Sequence, residues 1–210
     1  MKIAIIGSGN VGGTLGARWA QAGHDVIFGS RNPASDAMRQ LTAKAGATTR
    51  AASFAEAPAA AELLLLATPW PATKAVLEGL GDLAGKVLID ATNPLLPDLS
   101  AVEYGTITSG AEHVAEWARG AKVVKAFNTV GYNIMANPVF GGDRPVMFYC
   151  GDNGAAKQTV RPLIEQLGFE AVDAGPLSRA RLLEPFALLW ISLAYAQGQG
   201  REIGFKLLRR

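Results

Sequence analysis

The chain has 210 residues, enough for one sizeable core and an annex, and its 49% hydrophobic and 18% charged residues describe a folded protein rather than a disordered one. A net charge of +2, with no Lys/Arg stripe interleaved with aromatics, speaks against a nucleic-acid surface, and the terminal "KLLRR" reads as the solvated end of a helix. The single cysteine, Cys150, excludes an intrachain disulfide and a CxxC redox or zinc site.

The segment "KIAIIG" opens as a buried strand, and "GGTLGARWAQAG" as a helix with Leu15, Trp19 and Ala22 on related turns and Gly23 as its stop. "DVIFGS" predicts a second strand, followed by a helix from Pro33 to about residue 45. "TTRAA" reads as a short third strand and "AELLLLATP" as a fourth, apolar enough to be buried on both faces. A helix over 71–80, a fifth strand "KVLIDATNP", a helix near 111–119 and a sixth strand "KVVKAFNT" complete the series.

This alternation predicts an α/β fold with a doubly wound, mainly parallel sheet over residues 1–130. Residues 131–210 read as a small C-terminal α/β portion. It holds the loop "NPVFGGDRP", a strand "VMFYCG", a helix near 155–167, a strand "FEAVDAG" and a long apolar helix over about 178–197. Leu182, Leu183, Phe186, Leu189, Trp190 and Leu193 of that helix suit a packed core face, with a homodimer contact as the other use of such a surface. "FALLWISLAYA" is too short to span a bilayer and "MKIAIIGSG" lacks the features of a signal peptide. A cytoplasmic protein without a membrane partner is expected.

Gly7, Ser8, Gly9, Asn10, Val11 and Gly12 fit G-x-G-x-x-G, directly after a strand and at the start of a helix. Gly7 allows a tight turn, Gly9 lets the backbone approach a pyrophosphate, and Gly12 lets the helix lie close to the strand. The helix start offers free N–H groups and partial positive charge to the phosphates. At the tip of the second strand an acid would grip the ribose hydroxyls of NAD. The chain has Ser30 and Arg31 there, followed by Asn32. A guanidinium attracts the 2′-phosphate that a carboxylate would repel, so the expected ligand is NADP(H).

Ligands of an open parallel sheet lie beyond the carboxyl ends of its strands. Three such ends carry polar or ring-bearing residues: Thr68, Pro69 and Trp70; Asn93 and Pro94; and Asn128, Thr129 and Val130. They are the candidates for the nicotinamide end, although each residue type also serves turns and caps. No acid–base set or metal-ligand spacing accompanies them. His24 reads as a structural contact, His113 as an exposed helix residue and Asp90 as a buried carboxylate, while Lys125 reads either as an acid, the proton donor a carbonyl substrate would need, or, from its place within the sixth strand, as a structural or phosphate-binding group. Hydride exchange between two cofactors needs orientation more than a protein acid, so no catalytic residue is assigned.

Taken together, "IGSGNVG", "GHDVIFGSR", "VVKAFNTV", "VMFYCGD" and "DAGPLSRARLLEP" resemble the coenzyme F420-dependent NADP oxidoreductases and the nucleotide domain of the STEAP metalloreductases. The resemblance spans nearly the whole chain. It implies a Rossmann domain, NADP(H) in the glycine loop, a deazaflavin or flavin ring stacked near Asn128–Val130, and a homodimer. F420 enzymes of archaea tend to carry His where this chain has Asn128, so the acceptor expected is F420, FMN or FAD. A dehydrogenase of a small carbonyl compound and a non-catalytic NADPH-sensing module are the alternatives.

Overall fold

The computed structural model describes residues 1–210. Its six-stranded parallel sheet has the order β3-β2-β1-β4-β5-β6, with β1 (Lys2–Ile6), β2 (Asp25–Ser30), β3 (Thr49–Ser53), β4 (Leu63–Leu66), β5 (Val87–Asp90) and β6 (Lys122–Lys125). The order runs outward in both directions from β1, and the crevice between β1 and β4 is the topological switch point. Helices α1 (Asn10–Gln21), α2 (Asp36–Ala45), α3 (Glu56–Ala59), α4 (Trp70–Glu78) and α5 (Gly110–Trp117) connect these strands.

Alternation along the strands feeds two cores. Ile3 and Ile5 of β1 join Trp19, Phe28 and Leu65 on one face, while Ala4 and Ile6 join Ile27, Leu64 and Leu77 on the other. All four leucines of β4 are buried, as a strand covered on both faces requires. The expected doubly wound α/β sheet is present.

The second helix does not begin at Pro33. Pro33 lies in the preceding turn, and Ser35 caps α2 by accepting a hydrogen bond from Met38 N at 3.4 Å. Past β6, a short α6 (Tyr132–Ala136) precedes a two-stranded parallel sheet of β7 (Val146–Tyr149) and β8 (Glu170–Asp173), joined by α7 (Gly154–Gln166). This sheet has no separate interior. Met147, Tyr149, Val160 and Leu163 share a core cluster with Ile3 and Trp19 of the main sheet.

The apolar tail helix is a 3₁₀ turn (Leu177–Arg179), α8 (Ala180–Ile191) and a π turn (Ser192–Ala196). Leu183, Ala187 and Trp190 are buried, but Leu182 and Leu189 stay 62% and 47% exposed, so only one of its apolar sides faces the core. The terminal "KLLRR" is not a helix end. Residues 198–210 contain no helix or strand, and they return along β7, where Val146 N donates to Phe205 O at 2.8 Å.

Candidate functional site

The turn from β1 into α1 is built by two glycines for different reasons. Gly7 has φ +105°, a left-handed conformation that disfavours any side chain, and a Cβ there would lie 2.5 Å from Ala67 O. A Cβ on Gly12 would sit 1.9 Å from Gly7 O, so α1 lies as close to β1 as the spacing predicts. Gly9, by contrast, has nothing within 4 Å of its Cβ position. It faces open space at the mouth of a cavity of about 700 Å³.

That cavity lies beyond the carboxyl ends of β1, β2, β4 and β5. The loop supplies Gly7, Ser8, Gly9, Asn10 and Val11, the tip of β2 supplies Ser30 and Arg31, and Thr68, Pro69, Trp70, Thr92 and Asn93 form the other end. Ser30 Oγ accepts from Asn32 N at 3.1 Å, which orients the hydroxyl while leaving its hydrogen free to donate. Asn32 itself is exposed and outside the cavity lining, and Pro94 is buried. Trp70 is fixed by donating from Nε1 to Glu103 Oε2 at 2.7 Å.

After β6 the chain makes its sharpest local departure. Phe127 has φ +62°, is buried, and meets Trp19 edge-on at 5.6 Å. Holding a bulky residue there costs on the order of 1–3 kcal/mol, and dense packing keeps it in place. The turn delivers Asn128 to the crevice, where Nδ2 donates to Asn93 Oδ1 at 3.1 Å and Leu183 O at 3.0 Å. Asn93 Nδ2 returns a bond to Asn128 O at 2.9 Å. The buried Asn128 Oδ1 is left without a partner. Thr129 turns the other way, buried beside Met147.

Asn128 and Val130 open onto a second cavity, of about 320 Å³, which also takes in Tyr132, Trp190, Tyr195 and Arg201. Val11 and Asn93 line both cavities. Most of the candidate residues therefore divide between a larger crevice and a smaller apolar chamber that share two wall residues, while Gly12, Asn32, Pro94 and Thr129 line neither.

Residues 2–94 match the family described as NADP oxidoreductase, coenzyme F420-dependent. The F420-dependent NADP reductase of Methanothermobacter marburgensis is 35% identical over 92% of this chain and 92% of its own length. Rat metalloreductase STEAP3 is 32% identical over 89% of this chain, which spans 36% of that longer protein. A crystal structure of a candidate F420-dependent NADP reductase from Arthrobacter sp. FB24 has TM-score 0.90 and 33% identity, with full coverage of both chains. The chain belongs to the F420-dependent NADP oxidoreductase family. Imine reductase structures, at 18–22% identity, share the fold.

Beneath the crevice of this family member lies a charged cluster that residue-by-residue reading of the sequence did not assemble. The fully buried Lys125 ammonium donates to Asp90 Oδ2 at 2.9 Å and Thr92 O at 2.6 Å, and lies 3.0 Å from Glu184 Oε1. Asp90 Oδ1 accepts from Thr92 N and Oγ1 at 2.9 and 2.7 Å. Glu184 accepts from Gly110 N and Ala111 N at 2.9 and 3.0 Å, which places a carboxylate on the first turn of α5. Burial alone would lower the Lys125 pKa, but the charges of Asp90 and Glu184 outweigh it and hold the ammonium above its ordinary 10.5. Lys125 lines neither cavity, and its ammonium is spent on the Asp90, Thr92 and Glu184 contacts.

His24 makes the expected structural contact, Nε2 to Gln166 Oε1 at 2.8 Å. His113 is not an exposed helix residue. It stacks on Trp117 at 5.7 Å and lies against Tyr104 at 4.4 Å, in an aromatic cluster that continues to Trp70. Cys150 is buried, and burial pushes its thiol up to about 12, so it carries no thiolate chemistry.

Gly9→Val separates folding from binding. The added side chain enters open space, so thermal stability is retained, while the position a pyrophosphate would take is filled. Calorimetric titration with NADPH is expected to show no binding. Wild-type affinity in the variant would place the phosphates elsewhere.

Proposed function

We propose that the chain transfers hydride between NADPH, held in the larger cavity, and a deazaflavin or flavin ring, held in the smaller one. The open space at Gly9 and the unfilled rim at Ser30 and Arg31 suit a dinucleotide with a 2′-phosphate. When bound, the coenzyme supplies the hydride from its nicotinamide C4. The glycine loop and the start of α1 hold the pyrophosphate, Ser30 and Arg31 hold the 2′-phosphate, and Thr68, Pro69, Trp70 and Asn93 confine the nicotinamide end. Asn128 and Val130 border the acceptor. Residues 1–130 thus hold the coenzyme, and residues 131–210 join Asn128 and Val130 in walling the acceptor side.

The observation that carries this reading is the meeting of the two cavities at Val11 and Asn93, which lets two flat rings face one another without a protein acid between them. The sealed position of Lys125 removes the proton donor on which a carbonyl substrate would rest. Purified protein mixed with NADPH is expected to bleach the nicotinamide absorbance when F420, FMN or FAD is added. No oxidation with any of these, or with a ferric chelate, overturns the reading. The exposed Leu182 and Leu189 of α8 suit a homodimer in the cytoplasm, which sedimentation equilibrium tests.

A further inference from the structure

The smaller cavity has one charged residue in its wall, Arg201, and it comes from the tail that follows the π turn. The tail is pinned at this residue and two positions beyond it. Arg201 O accepts from Asn133 Nδ2 at 2.8 Å, and Trp190 Nε1 donates to Ile203 O at 2.8 Å. The guanidinium lies over the Tyr132 ring at 4.5 Å, and one Nη donates to Asn133 Oδ1 at 3.3 Å. Its Nε is buried with no partner. The other orphaned buried side-chain atom of the molecule is Asn128 Oδ1, in the wall of the same cavity.

One unused donor and one unused acceptor in a single apolar chamber ask for a ligand offering the reverse pair. A heteroaromatic ring with an N–H beside ring carbonyls offers both. Hydride transfer moves two electrons and one proton together, so the acceptor ring becomes an anion while the nicotinamide ring becomes a cation. A fixed cation on the acceptor side favours that movement of charge, and one on the nicotinamide side would oppose it. Arg201 lines the acceptor cavity and not the coenzyme cavity.

We infer that Arg201 is the charge-stabilising residue of the acceptor cavity, meeting the negative charge that hydride addition places on the acceptor ring, with Asn128 Oδ1 receiving the ring N–H. The inference rests on the acceptor reading of the smaller cavity. It predicts that the protein holds a reduced ring more tightly than an oxidised one, and that the preference belongs to Arg201.

The test is anaerobic titration of oxidised and chemically reduced riboflavin, which carries the ring and no phosphate, followed by quenching of tryptophan fluorescence from Trp190. Wild type is expected to hold the reduced form about tenfold more tightly, the scale of one charged hydrogen bond. Arg201→Met is expected to bring the two affinities together, and Arg201→Lys to restore most of the difference, with NADPH affinity unchanged in both. A wild-type preference retained by Arg201→Met overturns the inference while leaving the acceptor reading intact. Wild type that binds neither riboflavin nor F420 in either form overturns both.

Discussion

Arg31→Ala is expected to weaken NADPH by about 1–3 kcal/mol, roughly 5- to 150-fold, and to leave NADH almost unchanged. The asymmetry follows from what each coenzyme offers the tip of β2. NADPH brings a dianionic phosphate within reach of a guanidinium able to make two parallel charge-assisted bonds, whereas NADH brings only a hydroxyl. Arg31 is exposed on the cavity rim and holds no buried structure in place, so its loss has no folding cost to confuse the result. Because the pair is solvent-accessible, raising the ionic strength should shrink the wild-type preference towards that of the variant. Parallel titrations of both coenzymes decide the matter. Equal losses would move the 2′-phosphate away from Arg31.

Lys125→Met is expected to cost about 3–5 kcal/mol of folding stability, because it leaves two carboxylates buried with no cation between them. Asp90 and Glu184 belong to β5 and α8, so the damage should appear as a lower urea midpoint for the whole molecule rather than local fraying. The pH dependence gives the sign. In wild type the Lys125 pKa is raised on folding, so its contribution is complete below the ordinary 10.5 and is lost only as pH climbs through the raised value. In the variant, a proton must take the place of the ammonium. Its stability should therefore recover as pH falls. A variant as stable as wild type at neutral pH would show that the cluster is not a closed charge balance.

The sheet was legible because its physics is local. The continuous apolar runs in "KIAII" and "LLLL" announce strands covered on both faces, and the glycine loop follows directly from where the first one ends. Errors arose where a local signal had a second use. Pro33 favours a helix start as readily as the turn that precedes one, and Ser35 was the actual cap. "KLLRR" has the composition of a helix end, yet the tail is held by backbone bonding to β7, a long-range partner that composition does not encode.

At the site, Gly7, Gly9, Ser30 and Arg31 could be placed because a dinucleotide loop has a sequence spacing. The Lys125, Asp90 and Glu184 cluster has none. Asp90 and Lys125 occupy matching positions on neighbouring strands, which becomes visible only once β5 and β6 are paired in register. Arg201 was illegible for the same reason, since its place in the wall of the smaller cavity depends on the tail turning back after the π turn.

The core that β7 and α7 share with β1 and α1 has a consequence for turnover. With interior side chains common to both portions, and Glu184 tying α8 to the edge strand β6 and to α5, the two portions have no free hinge between them. The long connection between β5 and α5 runs along both cavities, giving Leu95 to the wall of one and Leu99 to the wall of the other. Stiffening that one stretch is expected to slow ligand exchange in both cavities together, which stopped-flow binding kinetics would read.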